Sequence, residues 1–151
     1  MKTMRVSVTI ERAKDGSYWC QTDTAILGGY LTATGSTVQE AKEDLIECLA
    51  EAKENLEAEG KTFPDVEFTY KYDLQSFFNY FSFLNVSDIA KRSGVNPSLM
   101  RQYASGIKNA GETTYQRLAT CVQTIGRELE AASFKYSDYF YKSKNNRSPE
   151  S

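Results

Sequence analysis

The side chains best suited to molecular recognition lie close together in the second half of the chain. Five polar residues occupy the start or the exposed positions of a predicted helix: Asn96, Ser98, Arg101, Gln102 and Ser105. In the major groove of DNA, an arginine can donate two hydrogen bonds to guanine and a glutamine can form two with adenine. We therefore predict that these five residues contact base edges.

Basic side chains flank this set. Lys91, Arg92 and Lys108 suit contacts to phosphate groups, which position a protein on DNA without reading its sequence. Between residues 86 and 110 the chain has four basic residues and one acidic residue, Asp88. This excess favours DNA binding over the alternative, a helical hairpin whose polar face meets only water.

Other chemistries find little support. Histidine is absent, and Cys20, Cys48 and Cys121 stand singly. This removes the common zinc sites, histidine-based catalysis and the Ser-His-Asp triad, and we predict neither a metal nor a cofactor. Scattered thiols are typical of core residues in a reducing compartment. No apolar run approaches the roughly 20 residues that cross a bilayer, and no secretory signal is evident, so we expect a cytoplasmic protein without a membrane partner.

The polar residues are positioned by a pattern typical of a helix-turn-helix. The segment VSDIAKRSGVNPSLMRQYASG, residues 86–106, spaces a small residue, a turn glycine and apolar anchors as two steeply crossing helices require. The predicted core of this motif consists of Ile89, Ala90, Gly94, Val95, Met100 and Tyr103. Asn96 and Pro97 suit the start of the second helix, and Gly106 suits its end.

Two further helices are predicted around this motif. One follows the helical spacing of apolar residues through 74–84, and the other starts at Thr113 or Thr114 and keeps its apolar register to Leu129. Residues 133–151 read as an aromatic and then polar tail. Its aromatic segment, 134–141, either packs on the last helix or forms a dimer contact.

The first half alternates apolar and polar residues, which is typical of half-buried strands. Val6, Val8 and Ile10 share one face of the first strand, and Asp15-Gly16 favours a hairpin turn after it. The predicted strands are residues 4–11, 17–22, 30–34 and 66–72.

An acidic helix is predicted between the third and fourth strands, over residues 37–58. Ser36 with Gln39, or Thr37 with Glu40, forms a capping box at its start. Its outer faces carry Glu40, Glu43, Asp44, Glu47, Glu51 and Glu54, which either keep the helix solvated or attract a basic partner. Residues 1–72 have 13 acidic and 8 basic side chains, a net charge of −5, whereas residues 73–151 have 7 and 10, a net charge of +3. A polyanionic partner therefore belongs to the second half.

The second half resembles the phage-repressor type of helix-turn-helix protein, through SDIAKRSGVNPSLMRQYASGIK and the following RLATCVQTIG. The resemblance implies a recognition helix over residues 97–104. That family often has a phosphate-binding glutamine at the residue entering the first helix, where this chain has Val86. Asn85 or Ser87 is expected to make that phosphate contact instead.

The first half resembles the HicB-type antitoxin domain, through VSVTIERAKDGSYWC and GGYLTATGSTVQEAKEDLIECL. The resemblance implies an α+β chain with a β-β-β-α-β domain, similar to a truncated RNase H fold, over residues 1–72 and a helix-turn-helix domain over 73–132. It also implies an antitoxin that neutralises a small, basic, mRNA-degrading HicA-like toxin and represses its own operon by binding operator DNA. Because one short recognition helix reads few bases, we expect a homodimer or a dimer of dimers.

Two alternatives come from the same residues. A stand-alone transcription regulator would use the first half to dimerise or to bind a ligand, with Tyr18, Trp19 and Tyr30 lining a pocket; their placement in the sheet core is the interpretation we prefer. A nuclease would need several carboxylates around two metal ions. Asp15 falls in a turn, whereas Glu11 and Asp23 fall near strand ends, so we predict no catalytic residues and no enzyme.

Overall fold

The computed structural model describes residues 3–135, which form an α+β chain. The elements are β1 (Thr3–Arg12), β2 (Tyr18–Thr22), β3 (Thr32–Gly35), α1 (Val38–Ala58), β4 (Asp65–Tyr72), α2 (Leu74–Tyr80), α3 (Val86–Ser93), α4 (Pro97–Ser105) and α5 (Glu112–Ala131). The predicted α+β class and the order β-β-β-α-β of the first half are confirmed. No helix of these residues combines the length and apolar character needed to span a membrane. The predicted tail lies outside the described residues from 136 onward.

The four strands form one mixed sheet in the order β3-β2-β1-β4. β1 pairs antiparallel with β2 and parallel with β4. Because side chains alternate across a strand, Val6, Val8 and Ile10 share one face, and all three are fully buried. α1 packs on that face through Val38, Ala41 and Leu45. Within residues 3–135, no helix shares a buried core with the opposite face of the sheet, which carries half-buried Thr9 and exposed Gln21.

α1 begins with a variant of the predicted capping box. The Thr37 hydroxyl accepts the Glu40 amide at 3.1 Å. The Glu40 carboxylate accepts an amide in return at 3.0 Å, but from Ser36 rather than from Thr37. Two amides that lack helical partners are thereby satisfied.

Two predicted helix bounds differ from the structure. The apolar spacing through 74–84 belongs to two segments, because α2 ends at Tyr80 and the Leu84 amide donates to the Phe81 carbonyl in a turn. Phe83 is 81% exposed and is not a buried core residue. α5 begins at Glu112, before both threonines, with Gly111 as a cap that has no side chain.

Tyr72 joins the two halves of the molecule. Its side chain packs against the core between the sheet and α1 and also against the core of the second half. Its ring lies 6.1 Å from Phe77 and 5.7 Å from Phe81, centroid to centroid. The Lys42 ammonium donates a hydrogen bond to the Tyr72 hydroxyl at 2.6 Å and lies 3.5 Å from the ring centroid of Tyr80. The cores of the predicted domains 1–72 and 73–132 are therefore packed against each other.

Burial changes the acid–base behaviour of this contact. Desolvation raises the pKa of Tyr72 above its ordinary value, so the phenol stays protonated, and desolvation lowers the pKa of Lys42. The ammonium stands over the ring of Tyr80 and, at 4.0 Å, over that of Tyr70, where the ring faces attract a cation.

We predict that Tyr72→Ala lowers the free energy of unfolding by about 3 kcal/mol, because it removes a ring shared by two cores. Tyr72→Phe keeps the ring and loses one hydrogen bond, so it should cost about 1 kcal/mol. Denaturant unfolding measures both costs. The fluorescence of the single tryptophan, Trp19, follows the first half, and circular dichroism follows the helices of both halves. Equal costs for the two variants would contradict the shared-ring interpretation.

Candidate nucleic-acid interface

α3 and α4 are joined by a three-residue turn whose backbone is specified by its sequence. Gly94 has φ 78° and ψ 24°, in the left-handed region that favours glycine. The Val95 amide then donates to the Ala90 carbonyl at 2.9 Å. Asn96 caps α4, since its side-chain oxygen accepts the Leu99 amide at 3.1 Å. This turn sets the angle between the two helices.

Apolar residues hold the pair in place. Ile89, Ala90, Val95 and Met100 are buried and pack with α2 and with Leu118 of α5, while Tyr103 is half-buried at the edge of the same core. The inward residues of α3 and α4 thus form the core of the second half. The polar residues of α4 lie on its remaining faces.

The five predicted base-reading residues differ in exposure and in hydrogen bonding. Ser98 and Arg101 are exposed, whereas Gln102 is half-buried. The Arg101 guanidinium donates to the Ser87 hydroxyl of α3 at 2.7 Å. The Ser105 hydroxyl donates to the Gln102 carbonyl. Asn96 uses its side-chain oxygen as the helix cap.

The predicted phosphate contacts are also unequal. Lys91 and Lys108 are exposed, and neither ammonium bonds to a side chain in the range 3–135. The Arg92 guanidinium instead forms an ion pair with Glu128 of α5 at 2.8 Å. That contact raises the pKa of Arg92. It also directs the guanidinium toward α5 rather than toward the polar residues of α4. Arg92 is therefore a poorer candidate for a phosphate contact than its position in the sequence indicated.

The two residues expected to replace a phosphate-binding glutamine have partners as well. The Asn85 side chain accepts the Asp88 amide at 2.9 Å and caps α3. Ser87 accepts the hydrogen bond from Arg101, although its hydroxyl can still donate a proton.

Sequence reasoning missed one contributor to this region. Arg117 of α5 donates to the Gly94 carbonyl at 3.0 Å and so holds the turn from outside the helix pair. With Arg92 and Cys121 it lines a concavity of about 240 Å³ beside the turn. The contact spans 23 residues, and no local pattern signals it.

The aromatic residues of the first half depart from the preferred interpretation. Tyr18 is buried in the core, but Trp19 is 43% exposed and Tyr30 is 62% exposed. These two line a concavity of about 350 Å³ on the uncovered face of the sheet, together with Thr9, Glu11, Gln21, Thr22 and Asp23. The prediction that Trp19 and Tyr30 belong to the sheet core is therefore wrong.

The carboxylates weighed for metal binding have other partners or stand apart. Asp15 accepts hydrogen bonds from the amide and hydroxyl of Ser17. Asp23 accepts a hydrogen bond from the Thr9 hydroxyl at 2.7 Å and pairs with Lys71 at 3.0 Å. Within residues 3–135, no group of three or more histidine, cysteine, aspartate or glutamate side chains is arranged to hold a metal ion.

Comparisons with models of known protein families, with curated proteins and with solved structures found no match to this chain.

A pair of glycine substitutions tests the turn. Gly94→Ala should lower the free energy of unfolding by about 1 kcal/mol, because an added Cβ meets open space but the positive φ disfavours it. Gly126→Ala, within α5 and equally uncrowded, should raise it by about 0.5–1 kcal/mol, since alanine suits a helix interior better. Chemical denaturation of both variants measures the signs. If both substitutions changed the free energy of unfolding in the same direction, the positive φ of residue 94 would not be the reason that glycine is needed there.

Proposed function

We propose that this chain binds double-stranded DNA through a helix-turn-helix formed by α3 and α4 and acts as an antitoxin that represses its own operon. The observation that carries the DNA-binding part is the division of α4 into two faces. Met100 is buried, while Ser98 and Arg101 are exposed. A short helix that is anchored from behind and polar in front suits the major groove.

Charge and hydrogen bonding support this orientation. Lys91 near the end of α3 and Lys108 after α4 lie in sequence on either side of Arg101, and no described side chain pairs with either. Both are available for phosphates. The bond from Arg101 to Ser87 restrains a long side chain before it meets DNA, which reduces the entropy lost on binding.

A homodimer or a dimer of dimers is part of the proposal. One α4 spans nine residues, and its exposed positions reach only a few base pairs. Two such helices about 34 Å apart would read successive turns of an inverted repeat. Sedimentation of the full chain alone and with operator DNA tests this, and a strict monomer in both would contradict it.

The antitoxin part rests on the first half. The sheet order β3-β2-β1-β4, with β1 parallel to β4, supports the HicB-like and truncated RNase H-like resemblance. The outer surface of α1 presents exposed Glu43, Glu47, Glu51 and Glu54, and none forms an ion pair with a basic side chain of residues 3–135. An acidic surface of this kind raises the rate of association with a small basic toxin.

The antitoxin part is tested by the neighbouring gene. Copurification of the untagged chain with the product of an adjacent gene for a small basic protein would support it. An isolated gene would favour the alternative, a stand-alone regulator.

DNA recognition is tested by two substitutions with different expected signatures. Arg101→Ala should weaken binding to operator DNA by about 1–3 kcal/mol and change binding to scrambled duplexes little, because a base contact carries sequence information. Lys108→Ala should weaken both alike, because a phosphate contact does not. The duplex upstream of the chain's own gene, titrated in competition with a scrambled duplex, measures both quantities.

Equal losses on both duplexes for Arg101→Ala would assign Arg101 to a phosphate and contradict the proposed orientation of α4. Ser87→Ala is the matched control. It leaves the guanidinium in place and removes both its restraint and a candidate phosphate contact, so it should weaken binding to both duplexes by less than Arg101→Ala weakens binding to the operator.

A further inference from the structure

We propose that the uncovered face of the sheet binds the guanidinium of an arginine side chain presented by a basic polypeptide. The site is the concavity lined by Trp19, Tyr30 and Glu11, here called the Trp19 groove. The inference rests on the proposed function only in choosing a polypeptide as the source of the arginine. The proposed contact with the arginine side chain lies on the face of the sheet opposite the acidic helix α1.

Strand register brings the floor of the groove together. Glu11 of β1 stands directly opposite Trp19 of β2, and Thr9 stands opposite Gln21. All four lie on the face away from α1, because the alternate residues Ile10 and Cys20 are buried beneath that helix. Cross-strand neighbours on one face have Cβ atoms about 5 Å apart, so the indole and the Glu11 carboxylate border the same space.

Tyr30 forms a side of the groove and comes from the loop before β3. The end of that loop is fixed to β2 through two groups of Thr22, its hydroxyl and its backbone amide. The Leu31 amide donates to the Thr22 hydroxyl at 3.0 Å, and the Thr22 amide donates to the Leu31 carbonyl at 3.0 Å. The ring of Tyr30 is thus carried by an anchored segment.

The aromatic rings are exposed where burial would be expected. Trp19 is 43% exposed and Tyr30 is 62% exposed. The indole N–H of Trp19 donates to the Ser17 hydroxyl at 3.0 Å, which fixes the ring's orientation without covering its face. Exposed, oriented aromatic rings on an otherwise polar surface are typical of interaction sites, where tryptophan and tyrosine are enriched.

The charge of the groove selects a cation. The side-chain carboxylate of Glu11 has no hydrogen bond or ion pair with another residue of the range 3–135. Asp23 keeps its charge, because the hydrogen bond from Thr9, with smaller contributions from Ser7 and Lys71, lowers the pKa of its carboxyl. Lys71 neutralises Asp23, which leaves the Glu11 carboxylate as the unpaired charge beside the rings.

A guanidinium matches these groups better than other cations do. Its flat face stacks on an indole or a phenol, and its edge donates two parallel hydrogen bonds to a carboxylate. The groove is open to solvent. That shape admits a side chain projecting from a larger partner, whereas small-molecule sites usually enclose most of their ligand.

The test uses Trp19, the only tryptophan of the chain, as its reporter. The indole N–H signal of the ¹⁵N-labelled full chain is followed by NMR during titration with N-acetylarginine N-methylamide. The matched probe is the citrulline analogue, which has the same shape and no charge. We expect a saturable shift with arginine, with a dissociation constant on the order of millimolar for a single exposed cation, and at least about fivefold weaker binding of citrulline.

Two variants locate the site. Glu11→Gln should weaken arginine binding about fivefold or more, because it removes the unpaired charge while keeping the side chain's size. Glu47→Gln removes a charge that is also exposed, on the outer surface of α1, and should leave the affinity unchanged. Tyr30→Leu, in the loop, should also weaken binding and keeps the reporter in place.

Equal shifts with arginine and citrulline, unchanged binding by Glu11→Gln, or an equal loss with Glu47→Gln would each overturn the proposal. The first result would mean that the groove does not recognise the charge of the ligand. The second would mean that Glu11 does not bind the guanidinium, and the third that the ligand is attracted by the overall negative charge of the chain. The titration contains neither DNA nor a protein partner. Its failure is therefore distinguishable from a failure of the proposed function.

Discussion

The packing of Tyr72 between two cores determines how the halves of this molecule relate. The residue ends β4, and the next residue, Asp73, caps α2. The ring stays in contact with the sheet while the chain turns into the helices. Lys42 reinforces this from α1, because its ammonium bonds the Tyr72 hydroxyl and stands over the ring of Tyr80 in α2. One strand, one helix of each half and one cation therefore meet at a single side chain.

The position of α4 follows from this junction through a short series of contacts. The Asp73 amide donates to the Ile10 carbonyl and its carboxylate accepts the Arg12 amide, so the start of α2 is fixed to β1. Phe77 of α2 then packs in the same core as Met100 of α4. The position of α4 is thus fixed relative to the sheet rather than left to a flexible linker. In the proposed dimer, two copies of α4 could bind DNA without first restricting the motion of a linker.

Local patterns predicted the parts of the structure that local physics determines. The alternation at Val6, Val8 and Ile10 gave the buried face of the sheet, and the special backbone at Gly94 followed from its place between two helices. The exposure of Trp19 was not predicted, although the sequence indicated it. Trp19 lies between the buried Tyr18 and Cys20, and alternation along a strand places it on the opposite face. No such signal existed for the pair of Arg92 and Glu128, because the two residues lie on different helices and are 36 positions apart in the chain. Contacts of that kind depend on the packing of whole elements.

The division of charge gives the two proposed surfaces different partners. An arginine-bearing polypeptide would be attracted to the Trp19 groove and repelled by the basic residues around α4, whereas DNA would meet the reverse. Screening limits direct electrostatic influence between charges to about 8 Å at physiological ionic strength. Any influence of Glu11 on DNA affinity through the field alone therefore weakens as the ionic strength rises. Coupling through geometry rather than potential would pass through pairing of chains or through the contacts between the halves at Tyr72 and Asp73.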